Sequence, residues 1–480
     1  MSNNLFYNDI AALHQEVTGS CIMNIIKFPD GSTKKILVDC GLFQEGDTSQ
    51  KLNKILPFDA SSIDYVLVTH NHVDHTGRLP LLVKNGYHGD IHVSCTTSKL
   101  LPYALGDSYK VLKTRAKIYS EPQLYSNDDV EQTIRQIKDH PYNESFYLDE
   151  NKNIKVTFFM NGHLPGAVVI LIQIKYHNNN SRHYEDINLL YTGDYNSRNM
   201  FFDVDPIPNW VKKLPLTIVQ ESTYGNMDSM DVKYVFKDNI LNALKDGKEI
   251  VLPVFSLGRA QEILFTFKKW QDEGILNKSI PIYFDGKLGM DYTNIYLKDG
   301  LDNREDCRDF IPENFINISG NSELRRNITE DHEQKIIIAT GGMGSHGPAQ
   351  TYIPSFLKRS NALIHFTGYC AEGTVGRKIH DANYEDIVEV AGLQVQKLAQ
   401  VEYTSEFSAH AKADELVYFL NQFESKKLVL INHGDSKVKS LYANRVVKET
   451  TSKDVGILGT YLFRVDSYGL IKSFTTKFSR

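Results

Sequence analysis

A chain of 480 residues with 41% hydrophobic content and a net charge of −6 is long enough for more than one cored domain and carries no overall basic field. Any anionic substrate would therefore be held by a local patch or by metal rather than by the field of the whole molecule. The five cysteines, Cys21, Cys40, Cys95, Cys307 and Cys370, are odd in number, far apart and without a C-x-x-C pair. They argue against a disulfide framework and against a thiolate zinc site, and they imply a reducing compartment. The start of the chain lacks a basic stretch followed by an apolar core, and runs such as AVVILI are too short to span a bilayer. A soluble, cytoplasmic protein without membrane partners is expected.

In chain order, the first third is rich in short β-branched or aromatic runs: CIMNIIKF, a Pro29-Asp30-Gly31 turn signal, KKILVDC, IDYVLVTH, KVTFFM, AVVILIQI and INLLYTGD. A helical stretch, TSKLLPYALGDSYKVLK, interrupts them. From about residue 214 strands alternate with helices (LTIVQE, VKYVFKDNILNALKDG, EIVLPVF, LGRAQEILFTFKKWQDEG, IPIYFD, KIIIAT, GPAQTYIPSFLKR, NALIHF), which predicts a mainly parallel sheet covered by helices. After about residue 390 strands resume around the helical HAKADELVYFLNQF, and GTYLFRVDSYGLIKSF reads as a hairpin turning near Ser467-Tyr468-Gly469. The expected organisation is α/β: a strand-rich domain in two pieces, 1–213 and 393–480, around an inserted α/β block at 214–392.

The chemistry is concentrated in THNHVDHTG, where His70, His72, Asp74 and His75 follow directly on a buried-looking strand. Strand exits are where α/β proteins present reactive side chains, because the sheet fixes them while the loop exposes them. Imidazole and carboxylate are ligands for zinc and similar divalent ions, and H-x-H-x-D-H spacing serves two ions because near neighbours point in different directions. KKLVLINHG repeats the architecture of IDYVLVTH, a buried strand ending in a histidine, so both strands would deliver ligands to one rim.

With LVDCGLFQ, NGHLPGA and YTGDYN, this segment resembles the successive signature motifs of the metallo-β-lactamase superfamily. QESTYG, LPVFSLGRAQE, IIIATGGM, TGYCAEGTVGRK, EFSAH and INHGD further resemble its β-CASP branch, which includes RNase J-like enzymes and the mRNA 3′-end cleavage endonuclease. The resemblance implies a metallo-β-lactamase αββα sandwich with an inserted β-CASP cap, and one ion bound by His70, His72 and His163. It implies a second ion at Asp74, His75 and His433, with Asp194 bridging the two and Asp39 orienting the ligand loop rather than ligating. The implied ions are two divalent cations, Zn2+ first and Mn2+ as the alternative. Glu221 and His410 are paired in the family, so Asp74, His410 and Glu221 are assigned to the chemistry, His410 as proton donor to the leaving oxygen.

Glycine-rich turns after strands, TGGMGSHGPA and TGYCAEGTVGR, present backbone N–H groups to an anion. Ser408, Arg259, Gly344, Thr374 and Arg377 are the phosphate-contact candidates, although either arginine also fits a structural ion pair and Ser408 also fits a cap on HAKADEL. Lys110, Lys113, Arg115 and Lys117 read as a solvated face. Lys412 stands where the family usually has aspartate, which leaves internal cleavage and 5′-end trimming open. The reaction expected is hydrolysis of phosphodiester bonds in single-stranded RNA, for processing or decay, in a cleft under the cap, with a homodimer admitted. The competing readings are a β-CASP DNA nuclease, a catalytically inactive RNA-binding scaffold, and a small-ester hydrolase.

Overall fold

The computed structural model describes residues 6–13, 18–44, 51–178, 183–368, 370, 373–452, 454–459 and 461–475. The chain divides into two compact units, one formed by 1–199, 203–229 and 410–480, the other by 200–202 and 230–409.

The first unit is built on two mixed sheets. One has eight strands in the order Gly469–Thr475, Tyr461–Asp466, Tyr7–Ala12, Ile22–Lys27, Thr33–Val38, Tyr65–Leu67, Ile91–Ser94 and Ile137–His140. It is antiparallel as far as Thr33–Val38 and parallel from there to its far edge. The other has seven strands in the order Val455–Ile457, Ser425–Ile431, Pro215–Gln220, His183–Tyr191, Val168–Asn178, Ile154–Met160 and Ser145–Tyr147. Its first four are mutually parallel.

Period-two alternation explains why these strands read as nearly continuous apolar runs: both faces are buried. In Val168–Asn178, Ile170, Ile172 and Ile174 enter the core between the sheets, where they meet Ile10, Ile26 and Ile36. Val169 and Leu171 of the same strand face the opposite side, toward Leu416, Phe419 and Tyr442. The helices Cys95–Ile118 and Asn127–Arg135 cover the outer face of the eight-stranded sheet through Leu101, Leu105 and Val130. Three cores therefore stack as helix, sheet, sheet and helix, the αββα sandwich. Each fully buried Ile or Leu contributes roughly 1.5–3 kcal/mol by leaving water, so the layers rest on apolar area rather than on their ion pairs.

The second unit carries a six-stranded, wholly parallel sheet ordered Phe315–Asn317, Ile282–Asp285, Ile336–Thr340, Glu249–Val254, Ala362–Phe366 and Gln400–Tyr403. A small antiparallel pair, Ile387–Val390 and Leu393–Gln396, accompanies it. Parallel neighbours need crossovers, and the strand–helix rhythm of the sequence supplies them.

The sequence-based boundaries differ at both ends of the inserted block, and Leu393–Gln396 and Gln400–Tyr403, expected in the returning piece 393–480, pair with strands of the second unit, which runs to residue 409. Pro215–Gln220, expected to open the inserted block, pairs instead between His183–Tyr191 and Ser425–Ile431 in the first unit, because its alternating Leu216, Ile218 and Val219 fill both cores of that sandwich. The helix of HAKADEL runs Ala413–Asn421, with the Lys412 N–H bonded to the Glu415 carboxylate at 2.8 Å. Ser408 is thus not its cap, and its own N–H closes a turn on the Ser405 carbonyl at 3.1 Å. The terminal hairpin turns at Ser467-Tyr468, where the Asp466 carboxylate accepts from Tyr468 and Gly469 N–H.

Candidate metal centre

Five strands of the first unit end in a residue of the site or one to three positions before it. His70 follows Tyr65–Leu67, Asp39 follows Thr33–Val38, Asp194 follows His183–Tyr191, Glu221 follows Pro215–Gln220 and His433 follows Ser425–Ile431. His163 stands in the turn after Ile154–Met160. The second half of the histidine motif is a single helical turn, Val73–Thr76, with His72 at its N-cap position and Asp74 and His75 within it. Its consecutive residues point about 100° apart, which lets Asp74 and His75 reach different partners. Loop backbone clamps the turn, with Ser20 N–H on the Asp74 carbonyl at 2.8 Å and Cys40 N–H on that of His75 at 2.8 Å. The approach is so close that a Cβ on Gly41 would lie 1.5 Å from the Asp74 carbonyl oxygen, so only glycine fits there.

His70, His72, His163 and Asp194 each offer a ligand atom within 4.8 Å of the others, and so do Asp74, His75 and His433. Asp194 faces both groups. Its Oδ2 lies 3.6 Å from His70 Nε2 and 3.8 Å from His163 Nε2, and its Oδ1 lies 3.3 Å from His75 Nε2 and 3.4 Å from His433 Nδ1. Asp74 Oδ2 stands 3.7 Å from His433 Nε2.

The hydrogen bonds around these imidazoles select one nitrogen. Asp39, held at φ 62°, accepts from Thr69 N–H and Thr69 Oγ1 at 2.8 Å each and binds His75 Nδ1 at 2.7 Å. The Thr69 hydroxyl, having given its proton to Asp39, is an acceptor for His70 Nδ1 at 3.1 Å. The Thr223 hydroxyl donates to Glu221 at 2.6 Å and is likewise an acceptor for His433 Nδ1 at 3.0 Å. Each ring is thereby oriented through Nδ1, the arrangement outer partners impose on metal-binding histidines. Correspondingly, Nε2 of His70, His75 and His433 and Oδ1 of Asp194 are buried with no hydrogen bond among the described residues. Buried polar atoms left so cost about 1–3 kcal/mol each, and a cation is the partner that donor lone pairs of this kind fit.

The electrostatics agree. Burial pushes His70 well below its ordinary range and His72 to about 4, so both rings are neutral near pH 7, the form a cation would bind. Burial opposes ionisation of Asp74, but the imidazoles of His433, His75 and His72 outweigh it and hold that carboxyl at about 2. Asp194 is also held well down, by His433 and His75 against the effect of burial. His75 moves the other way: burial disfavours its cation, but the carboxylates of Asp194 and Asp39 raise its affinity for a proton, which takes a place that a metal ion competes for.

Glu221 and His410 form a further pair. His410 Nδ1 meets Glu221 Oε2 at 2.8 Å and Oε1 at 3.1 Å, and Glu221 Oε1 also accepts from Tyr195 N–H. Burial disfavours charge on His410, but the Glu221 carboxylate outweighs it and raises the pKa. The His410 ring centroid lies 4.6 Å from that of His163. Asp194, Glu221 and His410 also have ligand atoms within 4.8 Å of one another.

The phosphate-contact candidates stand in the second unit, and each has local partners. Arg259 is buried, bonded to the Thr367 carbonyl and to Glu262 at 3.0 Å. Arg377 pairs with Asp381 at 2.8 Å, and Thr374 caps the helix Val375–Asp381 by accepting from Arg377 N–H at 3.1 Å. Gly344 takes φ 76° in its turn. Tyr369, Ala371 and Glu372 of the second glycine-rich turn lie outside the described residues.

Sequence reasoning did not single out Thr69, Thr223 or Asn161. Asn161 joins two ligand loops, accepting from His163 N–H at 2.9 Å and donating to the carbonyls of Thr192 and Asp194 at 3.1 and 3.0 Å. Their only signal is position: each flanks or lies within two residues of a motif residue.

Three family models match the chain: "Metallo-beta-lactamase superfamily" over residues 25–179, "Beta-Casp domain" over 260–379, and "Zn-dependent metallo-hydrolase RNA specificity domain" over 394–457. Among curated relatives, "Transcription termination factor FttA" of Methanosarcina mazei is 27% identical over 91% of this chain and 68% of that protein. "Integrator complex subunit 11" of Gallus gallus is 25% identical over 91% of this chain and 70% of its own. "Cleavage and polyadenylation specificity factor 73" of Drosophila melanogaster is 26% identical over 89% and 59%. The chain thus spans about two thirds of the length of such relatives. With the αββα sandwich, the inserted parallel sheet and the clustered histidines, these matches place the chain in the metallo-β-lactamase superfamily, in its β-CASP branch.

Proposed function

We propose that the chain is a metal-dependent ribonuclease that hydrolyses phosphodiester bonds of single-stranded RNA. The observation that carries the reading is the set of buried imidazole Nε2 atoms left without hydrogen bonds beside two carboxylates, His70 and His75 at Asp194 and His433 at Asp74. His70, His72 and His163 would hold one divalent cation, Asp74, His75 and His433 a second, and Asp194 would face both. An imidazole-rich, thiolate-free set with carboxylates suits zinc first and manganese second. Such cations supply Lewis acidity and stabilise charge that develops on a phosphate under attack.

The remaining steps belong to the protein. Asp39 and Thr69 orient the rings of His75 and His70. Glu221 fixes His410 through Nδ1 and stabilises its charged form, leaving the ring to give a proton to the departing ribose oxygen. Asp74, held ionised, would serve as ligand and as acceptor for the proton lost by attacking water. Ser408, Arg259, Gly344, Thr374 and Arg377 remain proposed phosphate contacts. RNA as substrate is supported by the RNA specificity model over residues 394–457 and by relatives named for transcription termination and for cleavage and polyadenylation. No helix among the described residues is long and apolar enough to cross a membrane, and all five cysteines are free thiols, which fits a cytoplasmic setting.

A second reading has one observation behind it: Asp194, Glu221 and His410 also lie close enough to hold an ion, which would make His410 a ligand rather than a proton donor.

The test uses end-labelled RNA and DNA strands of equal sequence, with 5′-hydroxyl and 5′-phosphate versions, resolved by size after incubation with purified protein. RNA cleaved faster than DNA is the expected result, and the ladder separates internal cutting from 5′ trimming. Equal or faster cleavage of DNA would replace this reading by the DNA-nuclease one.

A further inference from the structure

A surface groove of about 760 Å3 lies in the second unit, lined by residues of the helix Ser322–Glu330 and of Ala349–Leu357 and its exit. Both helices follow strands of the parallel sheet and return antiparallel to them, so the groove runs from the carboxyl toward the amino ends of those strands. Arg325 marks the first end, and Lys358 and Arg359 mark the second.

Two buried carboxylates fix the cationic wall. Asp285 takes Arg325 through Nε and Nη2 at 2.5 and 2.9 Å, and both carboxylate oxygens of Glu249 accept from Arg359 Nη1 at 2.8 Å. Glu249 also holds the buried Lys335 at 3.1 Å. The guanidiniums are therefore locked in place before any ligand arrives, Arg359 also donating to the carbonyls of Thr329 and Asp331, so the charge left open to a ligand falls mainly to their neighbours.

Beside them, Arg326 and Lys358 are exposed and have neither an ion pair nor a side-chain hydrogen bond among the described residues. Glu330 stands one helical turn from Arg326 and does not pair with it. The hydroxyls of Ser322, Thr329, Thr351 and Ser355, the Glu330 carboxylate and the exposed imidazole of His332 complete the wall.

A groove walled by cations and hydroxyls, with His332 as the one ring in its lining and no Phe, Tyr or Trp there, recognises negative charge more than base faces. Its cations stand as two pairs, Arg325 and Arg326 within the first helix and Lys358 and Arg359 just past the end of the second, which fits successive phosphates of a chain better than one phosphate group. They do so on a chain whose net charge is −6, so the attraction is local. We infer that this groove tracks the phosphate backbone of single-stranded RNA, independent of sequence, with Arg326 and Lys358 as its mobile phosphate contacts. The inference rests on the ribonuclease reading for the choice of RNA as the polyanion.

The experiment measures anisotropy of a fluorescein-labelled 30-nucleotide oligouridylate titrated with the full chain in EDTA, across a salt series, so that binding is read without hydrolysis. Arg326→Glu with Lys358→Glu should weaken binding about tenfold or more at low salt. The neutral pair Arg326→Gln with Lys358→Gln should lower the slope of log affinity against log salt by roughly 1.4, two contacts at about 0.7 each for a single strand. Arg326→Lys should keep the wild-type slope, and cleavage of a six-nucleotide RNA should be unchanged in every variant. Neither side chain supports the fold through a partner, and a melting curve checks this. If the charge reversal fails that check, the neutral single variants, at about 0.7 each, carry the test.

Wild-type affinity and slope in the folded double variants would overturn the inference while leaving the ribonuclease reading intact. So would loss of binding to a phosphoserine peptide with oligouridylate binding unchanged. Salt-dependent oligouridylate binding that the substitutions weaken, in a protein that cleaves no RNA, would support the groove and count against the ribonuclease reading instead.

Discussion

Replacing Asp194 by Ala is expected to bring RNA cleavage down to background while leaving the melting temperature close to that of the parent chain. Among the described residues, this carboxylate stands 3.3–3.8 Å from His70, His75 and His163 and 3.4 Å from His433, facing both histidine groups. Loss of a partner that merely orients a ligand costs 10–100-fold in metal affinity or activity. Loss of a carboxylate that would face two cations should cost more, because it removes a negative charge from a site otherwise dominated by imidazole. The fold should survive, since the backbone carbonyl of Asp194 keeps its bond from Asn161 and the neighbouring core residues are untouched. Turnover within tenfold of wild type in Asp194→Ala would refute the assignment, and near-complete unfolding would show that the carboxylate is structural.

The second large effect is expected at His410. His410→Ala should slow cleavage by about 10²–10⁴-fold, the usual size of a general acid–base contribution, with bound metal unchanged. Glu221→Gln should act through the same unit, because Glu221 meets the ring at Nδ1 and also ties it to Tyr195 N–H. The double variant should therefore be little slower than His410→Ala alone. If the two losses multiply, the pair does not work as one proton donor. If His410→Ala sheds metal, the ligand reading suggested by its closeness to Asp194 and Glu221 takes over.

The strands that deliver the site were legible because burial on both faces leaves a plain apolar signature, and a histidine directly after such a run has few other uses. His70 after IDYVLV and His433 after KKLVLI illustrate this. The αββα layering needed more than local pattern: the alternation of Ile170, Val169 and Leu171 between two cores becomes visible only when both sheets are present. Pro215–Gln220 was assigned to the inserted block because a strand followed by a helix reads the same in either unit; its pairing with Ser425–Ile431, far away in sequence, decided the matter.

Within the site, titratable residues were readable and their hydroxyl and amide supports were not. Thr69 and Thr223 act by accepting from a histidine while donating to a carboxylate, a role that depends on geometry and has no compositional signal. The same limit applies to Arg259 and Arg377, which look alike in a sequence whether they meet a phosphate or a nearby carboxylate. His433 at φ 43° shows a related point: a backbone conformation rare for a side-chain-bearing residue is held by Ser222, whose N–H and hydroxyl both bond the His433 carbonyl, and nothing in INHGD announces it.

If seven side chains hold two cations, as proposed, elemental analysis of the purified chain shows it most directly. After incubation with zinc and gel filtration, the chain should retain close to two equivalents, falling clearly below two in Asp194→Ala and staying near two in His410→Ala. A wild-type chain that keeps no more than trace metal, or an Asp194→Ala variant that keeps two equivalents, would contradict it.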